Sequence, residues 1–526
     1  MARMFRRLLV FAVFLEWLSI CGSPTLANES ALKAKNVIFM IMDGTNSDVL
    51  ALSRWYKGSA LALDEIMTGG VRTYSLRSAI TDSAAAGTAL ATGRKTLVDH
   101  IGMIPIFPKE GKPFTAYPVP NLVEAAKRKG LSTGMVTTSP VQHATPAAFS
   151  SHVNHRSKFD DIAEQQVYQG LDIVLGGGKA WLKRDDKMKS RPDGENLISV
   201  LQKKGYDFVT SREELLQSSR EKIWGSFARE DIAYELDRPK LNPNQPSLAE
   251  MTKKAIQTLS RNDKGFFLMV EGSKVDWAAH KNDPVGMISE VLSFDKAVQE
   301  ALQFAKKDQQ TLVIAVADHG NSGLTMGNLS TNHSYAREPK EQFIKPLKKA
   351  ELTVTGAVSQ LRKDRSNLKE VLNLYGLDRL RPNEYKRIKK AKNPEKEMAA
   401  LLSKRAKIGF TTTGHTGEDV FLYAYGPGKP TGLIENTDLP KSICQTLGLK
   451  LESYYQDGVQ FYKERGWKAA IRGSKGKNPE LVVQKNGQTI RYPVNKNIRY
   501  VNGKEETLPA VSLYNGTYFY IGLSNQ

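Results

Sequence analysis

The chain has 526 residues, 40% of them hydrophobic and 25% charged, which suits a soluble globular protein with one large domain plus an appendage. Its two cysteines, Cys21 and Cys444, are too few for a disulfide-built scaffold. A formal net charge of +20 favours anionic partners, whether phosphorylated substrates, nucleic acid or acidic envelope polymers, and does not choose among them.

Residues 1–27 read as a secretory leader. A basic start (Arg3, Arg6, Arg7) precedes an apolar stretch from Leu8 to Ile20, interrupted by Glu16, and Thr25-Leu26-Ala27 supplies a small-residue exit. The stretch is too short and broken for a membrane span, so the mature chain is expected to carry none. Cleavage after Ala27 removes Cys21 and leaves Cys444 unpaired; an uncleaved anchor and a lipidated Cys21 are the alternatives. The predicted location is the periplasm, the cell surface or the medium.

The apolar runs 36–42, 134–138, 172–175, 266–270, 311–317 and 420–425 read as buried parallel strands. Helical patterns at 121–128, 248–259 and 291–305 lie between them. Alternation of strand and helix predicts an α/β fold, a three-layer α/β/α sandwich around a mostly parallel sheet. Ligands of such sheets bind beyond the carboxyl ends of the strands, which is where the polar residues of this chain collect.

Asp43-Gly44 follows the first run directly. Thr81-Asp82-Ser83 precedes an alanine-rich helix, so Ser83 sits at a helix N-terminus, where backbone N–H groups support an alkoxide or a bound anion. His143-Ala144-Thr145 offers a hydroxyl for a hard cation, and Arg156 a planar fork for phosphate oxygens. His152 and His155 have no evident task. Glu271 ends the 266–270 run, and Asp276 and His280 follow at a four-residue spacing that puts both on one helix face. Asp318-His319 closes the 311–317 run, and His415 stands between Gly414 and Gly417. Each segment alone has an ordinary reading as a cap, a turn or a surface residue.

Residues 351–407, rich in Lys, Arg and Leu at helical spacing, read as a solvated helical insertion covering one face rather than a nucleic-acid arm. Residues 466–526 change to short β-like runs with Asn-Gly turns at 486–487 and 502–503, a small β-rich module. The expected division is a leader at 1–27, a catalytic domain at 28–465 and the module at 466–526.

Taken together, these segments resemble the alkaline phosphatase family from about Lys35 to Tyr462, in the family's order. The resemblance implies a two-zinc, one-magnesium site. One zinc would take Asp276, His280 and His415; the other Asp43, Asp318 and His319, completed by Ser83; magnesium would take Asp43, Thr145 and Glu271. Ser83 would be the nucleophile of a phosphate monoester hydrolysis and Arg156 the phosphate clamp. The outer-shell positions hold His143 and Trp277, where the best-known enterobacterial pattern has Asp and Lys, so easier phosphate release is expected. Substrates would be phosphorylated small molecules of broad range, without specific nucleic-acid recognition. The family is often dimeric, and the basic surface or the tail suits association with the cell envelope. A phosphodiesterase typically uses Thr as nucleophile, a sulfatase needs a modification motif with Pro and Arg, and an inert surface-binding protein would not keep every ligand.

Overall fold

The computed structural model describes residues 33–107, 115–473 and 478–523; the predicted leader with Cys21 lies outside them. Asn36–Met42 (β1) is buried along its whole length, because parallel neighbours flank it on both sides and helices cover both faces. The further strands of its sheet are Met67–Arg72 (β2), Ser132–Pro140 (β3), Ile173–Gly177 (β4), Asp207–Val209 (β5), Ile223–Ser226 (β6), Phe266–Gly272 (β7), Thr311–Val316 (β8), Val420–Tyr425 (β9) and Gly432–Glu435 (β10). The ten strands lie in the order β10-β2-β9-β8-β1-β7-β3-β4-β6-β5. Alternate residues of β1 enter opposite cores, Ile38, Met40 and Met42 on one face and Val37, Phe39 and Ile41 on the other.

One strand departs from the expected direction. β9 runs antiparallel to β8, pairing Val316 with Leu422 and Val313 with Tyr425. The chain reaches β9 from the carboxyl edge of the sheet, so it can pair beside β8 only by running back. This reversal puts the start of β9, with His415 just before it, at the same edge as the ends of β1, β7 and β8.

The helices that bear on the site are Ser83–Thr92 (α1), Leu122–Arg128 (α2), Ala144–Ala148 (α3), Phe159–Gln169 (α4), Leu248–Leu259 (α5), Lys274–His280 (α6) and Pro284–Asp308 (α7). Phe149, at the end of α3, meets Phe39 edge-on at 5.8 Å and stacks on Phe267 at 6.2 Å, which ties α3 to β1 and β7. The insertion forms Val354–Ser359 (α8), Leu368–Leu374 (α9), Pro382–Lys390 (α10) and Pro394–Arg405 (α11). Its Val354, Leu372, Tyr375, Met398 and Leu402 join the same core as α7, so it is anchored through a shared apolar face and solvated only on the outside.

Beyond Tyr455–Asp457 (β11), the tail forms Lys468–Arg472 (β12), Glu480–Lys485 (β13), Gln488–Pro493 (β14), Ile498–Val501 (β15), Lys504–Thr507 (β16), Leu513–Tyr514 (β17) and Phe519–Gly522 (β18). β12 to β16 pair in sequence order as an antiparallel sheet, and β18 pairs with β11 and β17. Asn486 and Gly487 have φ of 49° and 77°, and Asn502 and Gly503 of 49° and 87°, the left-handed pairs that two-residue hairpin turns require.

β11, the strand on which β18 of the tail pairs, is bonded to the helical layer. Tyr455 donates to Glu124 of α2 at 2.8 Å, and Glu124 accepts from His152 Nε2 at 3.1 Å. His152 Nδ1 is 3.0 Å from the Gly102 carbonyl. A carboxylate and a carbonyl only accept, so both ring nitrogens of the buried His152 donate and the ring is cationic. Burial works against that charge, but Glu124 outweighs it and raises the His152 pKa; the same pairing, against the upward push of burial, takes Glu124 down to about 2. Glu124→Gln leaves this cation buried without its counter-charge and is expected to cost about 3 kcal/mol. A fall in the thermal midpoint at neutral pH, larger than that of Tyr455→Phe, would register the loss.

Candidate active site

Strand register decides which side chains meet. Ile41 of β1 lies beside Val316 of β8 and Glu271 of β7, and Thr137 of β3 lies on the far side of Glu271. Asp43, Glu271 and Asp318 therefore leave the sheet at one edge. Gly44 turns the chain there at φ +66°, and a Cβ on it would stand 2.5 Å from Asp276 Oδ1, so this approach admits no side chain. Its N–H donates to Asp318 Oδ1 at 3.1 Å. Asp276 and His280 project from α6, and a short antiparallel pairing of Gly320–Asn321 with His415–Thr416 brings His415 alongside.

Ligand atoms of Asp43, Asp318 and His319 lie within 4.8 Å of one another, as do those of Asp276, His319 and His415, and those of Asp43, His143 and Glu271. His280 Nε2 is 3.3 Å from Asp276 Oδ2, and its ring centre is 5.1 Å from that of His415. His319 and His415 stack at 3.8 Å. Each of the three imidazoles sets its Nδ1 against a backbone carbonyl, of Thr413 for His280, Gly320 for His319 and Thr81 for His415. That fixes the tautomer and turns every Nε2 lone pair into the site.

Both oxygens of Asp43, Oδ2 of Asp318, Oε1 of Glu271 and Oγ1 of Thr145 are buried without a hydrogen-bond partner among the described residues. Burial, then the charges of Asp318, Asp276 and Glu271, push the Asp43 pKa far up. Burial raises Asp318 to about 6, and Glu271 to about 7 against the hydroxyls of Ser273 and Thr137. Burial acts on Asp276 too, but His280, His319 and His415 outweigh it and hold that carboxyl below its usual range. Crowded buried acceptors of this kind are satisfied by cations, so the donor set fits hard or borderline metal ions.

Asp82 caps α1 by accepting from Ala85 N at 3.0 Å, which makes the buried Ser83 the first helical residue. Ser83 Oγ is 3.2 Å from His319 Nε2. Arg156 donates to Asp82 Oδ2 at 2.9 Å and to His143 Nε2 at 3.3 Å. Burial, reinforced by that guanidinium, lowers the His143 pKa to about 3. Trp277 packs edge-on against His143 at 5.5 Å. Every residue singled out in the sequence thus lies in one neighbourhood except His152 and His155. His152 belongs to the tail contact, and the exposed His155 lies 3.6 Å from Asp99.

Sequence reasoning did not find several supporting groups. Thr137, Ser139 and Ser273 form a hydroxyl cluster whose Thr137 and Ser139 donate to Glu271 Oε2. Asn321 donates to Asp276 Oδ1 at 2.6 Å. Their only sequence signal is nearness to a ligand, as with Ser273 two residues after Glu271. The pinning of Arg156 by Asp82 spans 74 positions and leaves no local trace.

The family profile of alkaline phosphatases matches residues 34–449. Alkaline phosphatase 4 of Bacillus subtilis is 38% identical over 437 residues, covering 78% of this chain and 88% of that protein. The crystal structure of Thermus thermophilus alkaline phosphatase superposes with a TM-score of 0.71 at 28% identity, over 81% of this chain and 96% of that one. A histidine-to-aspartate mutant of TAB5 alkaline phosphatase, solved with Mg bound in its M3 site, matches with a TM-score of 0.58 at 26% identity, over 80% and 99% of the two chains. Metal dependence is a property of this family, and the buried acceptors described above provide for it. Sequence and fold agree over the whole span that carries these groups: the chain belongs to the alkaline phosphatase family and is a phosphomonoester hydrolase.

Proposed function

We propose that the chain removes phosphate from monoesters in two displacements through a phosphoserine at Ser83. The observation that carries this reading is the set of buried, unpartnered acceptor oxygens gathered beside Ser83 Oγ at a helix N-terminus. Zinc would be held by Asp276, His280 and His415, a second zinc by Asp43, Asp318 and His319 with Ser83, and magnesium by Asp43, Thr145 and Glu271. When bound, the ions supply Lewis acidity toward the oxygens of nucleophile and leaving group. The Mg recorded in the M3 site of the TAB5 mutant shows that such a third site holds Mg in a relative whose histidine has been replaced by aspartate.

Ser83 Oγ attacks phosphorus as the ester P–O bond breaks, and the alcohol departs with a proton. A water then attacks from the opposite side, Oγ leaves, and inorganic phosphate is released. Arg156 binds two non-bridging oxygens through its fork, held at the required angle by Asp82 and His143. Trp277 supports His143 from the side and adds no charge, so phosphate is held less tightly than a lysine there would hold it.

The reading extends to export of the mature chain after cleavage at Ala27, with the catalytic domain at 28–465 and the β-rich module at 466–526. No described helix is long and apolar enough to cross a membrane. Homodimerisation and contact with the acidic envelope through the basic surface or tail belong to the same proposal.

p-Nitrophenyl phosphate should be hydrolysed and bis(p-nitrophenyl) phosphate hardly at all, with the activity lost to a chelator. Ser83→Ala should lower kcat by about 10³-fold or more and abolish acid-stable phosphate labelling of the protein. Labelling that survives in this variant would remove Ser83 from its role. Trp277→Lys should tighten inhibition by inorganic phosphate roughly tenfold; an unchanged inhibition constant would refute the account of release.

Ion removal should also change the pH profile of stability. Without ions, folded Asp43, Asp318 and Glu271 keep protons that the unfolded chain loses near pH 4. The folded state then binds more protons between about pH 4 and 7, so stability falls as pH rises through this window. The chelated protein should melt roughly 5 °C lower at about pH 8 than at about pH 5. Adding back zinc and magnesium near pH 6 should reverse the loss and release protons to an indicator dye.

A further inference from the structure

A cavity of about 340 Å³ opens where the insertion meets the active site. His280 lines it, together with Thr413, whose carbonyl faces His280 Nδ1 at 2.7 Å. Around Asp276, His280 is the open flank: its side chain is 41% exposed, against 16% for His415 and 5% for Asp276 itself. An ester with its phosphorus at the buried Ser83 must direct its alcohol part outward, and His280 is the residue that the site and the lining of this cavity share.

The facing wall is one face of α11. Lys396, Ala400 and Lys404 follow at four-residue intervals, and the small Ala400 leaves room between the two lysines. Phe410 adds an aromatic surface to the lining. Three lysines and one carboxylate, Glu395, surround this space. Lys281 is engaged by Glu395 at 3.3 Å and by Thr355 at 2.7 Å. Lys396 and Lys404 are exposed and make no ion pair among the described residues.

Building on the phosphoserine reading above, we propose that this cavity receives the alcohol part of the substrate and that Lys396 and Lys404 select esters carrying a second anionic group. The preferred substrate class is a phosphate monoester whose alcohol has an apolar body, set against Phe410, and a carboxylate or further phosphate turned to the lysine-bearing face of α11. Single exposed ion contacts are weak, so together they give about a tenfold preference. Salt must erode it.

The test uses the metal-loaded full chain with phenyl phosphate and 4-carboxyphenyl phosphate. The ratio of their kcat/KM values should favour the carboxylated ester about tenfold at low ionic strength. The ratio should collapse both in high salt and in the Lys396→Glu/Lys404→Glu double variant. Because each ratio is taken within one preparation, a smaller folded fraction cancels. A ratio equal in parent and double variant overturns the proposal. Ala400→Trp fills the cavity without changing its charge, and should lower kcat/KM for naphthyl phosphate about tenfold relative to methyl phosphate; an unchanged ratio is equally fatal. If the parent hydrolyses neither phenyl ester, the phosphatase reading fails and this inference falls with it.

Discussion

Asp43, Glu271, Asp318 and Asp276 leave the sheet and α6 within a few ångströms of one another, all buried, and the outer oxygens of the first three find no donor among the described residues. Like charges gathered in a low-dielectric setting repel strongly, so such a cluster persists only if it keeps protons or takes up cations. The surrounding structure is arranged around that demand. Parallel register brings the strand ends level, and Gly44 lets two carboxylate-bearing segments touch. Three backbone carbonyls aim the imidazoles inward.

Protein charges of opposite sign are held one step back from this centre. Arg156 reaches it through contacts with Asp82 and His143, and the free lysines stand farther out, on α11. The net charge of +20 thus coexists with an acidic heart. A dianion approaching from solvent meets cations first and carboxylates last, and those carboxylates are the ones that metal would neutralise.

Much of the frame was readable from the sequence, because long apolar runs such as 36–42 and 311–317 must be buried on both faces. The direction of β9 was not, since an apolar run looks the same read either way; only the path from the insertion decides it. Asp43, Glu271 and Asp318 were legible as carboxylates just past strand ends, and Asp276 with His280 through helical spacing. Ser83 gained its meaning from family resemblance, since its own segment reads equally well as a helix start. His152 was opaque because its partners, Glu124 and Tyr455, lie 28 residues before it and far after it. Hydrogen bonds between distant positions leave no pattern that a local reading can detect.

The tail contact has a temporal consequence. Gln165 clasps both the N–H and the carbonyl of His152 and is itself bonded to Asn495, 330 positions later in the chain. Asn154 reaches the carbonyl of Asn515 at 2.9 Å. The segment that presents Arg156 is therefore braced by residues that emerge from the ribosome long after it. The sheet, Ser83 and the buried carboxylates all lie upstream of those residues, so the segment that carries Arg156 is the part that waits for the last hairpins. A chain cut short before β14 would keep the sheet and its carboxylates and lose the bracing of the segment that carries Arg156.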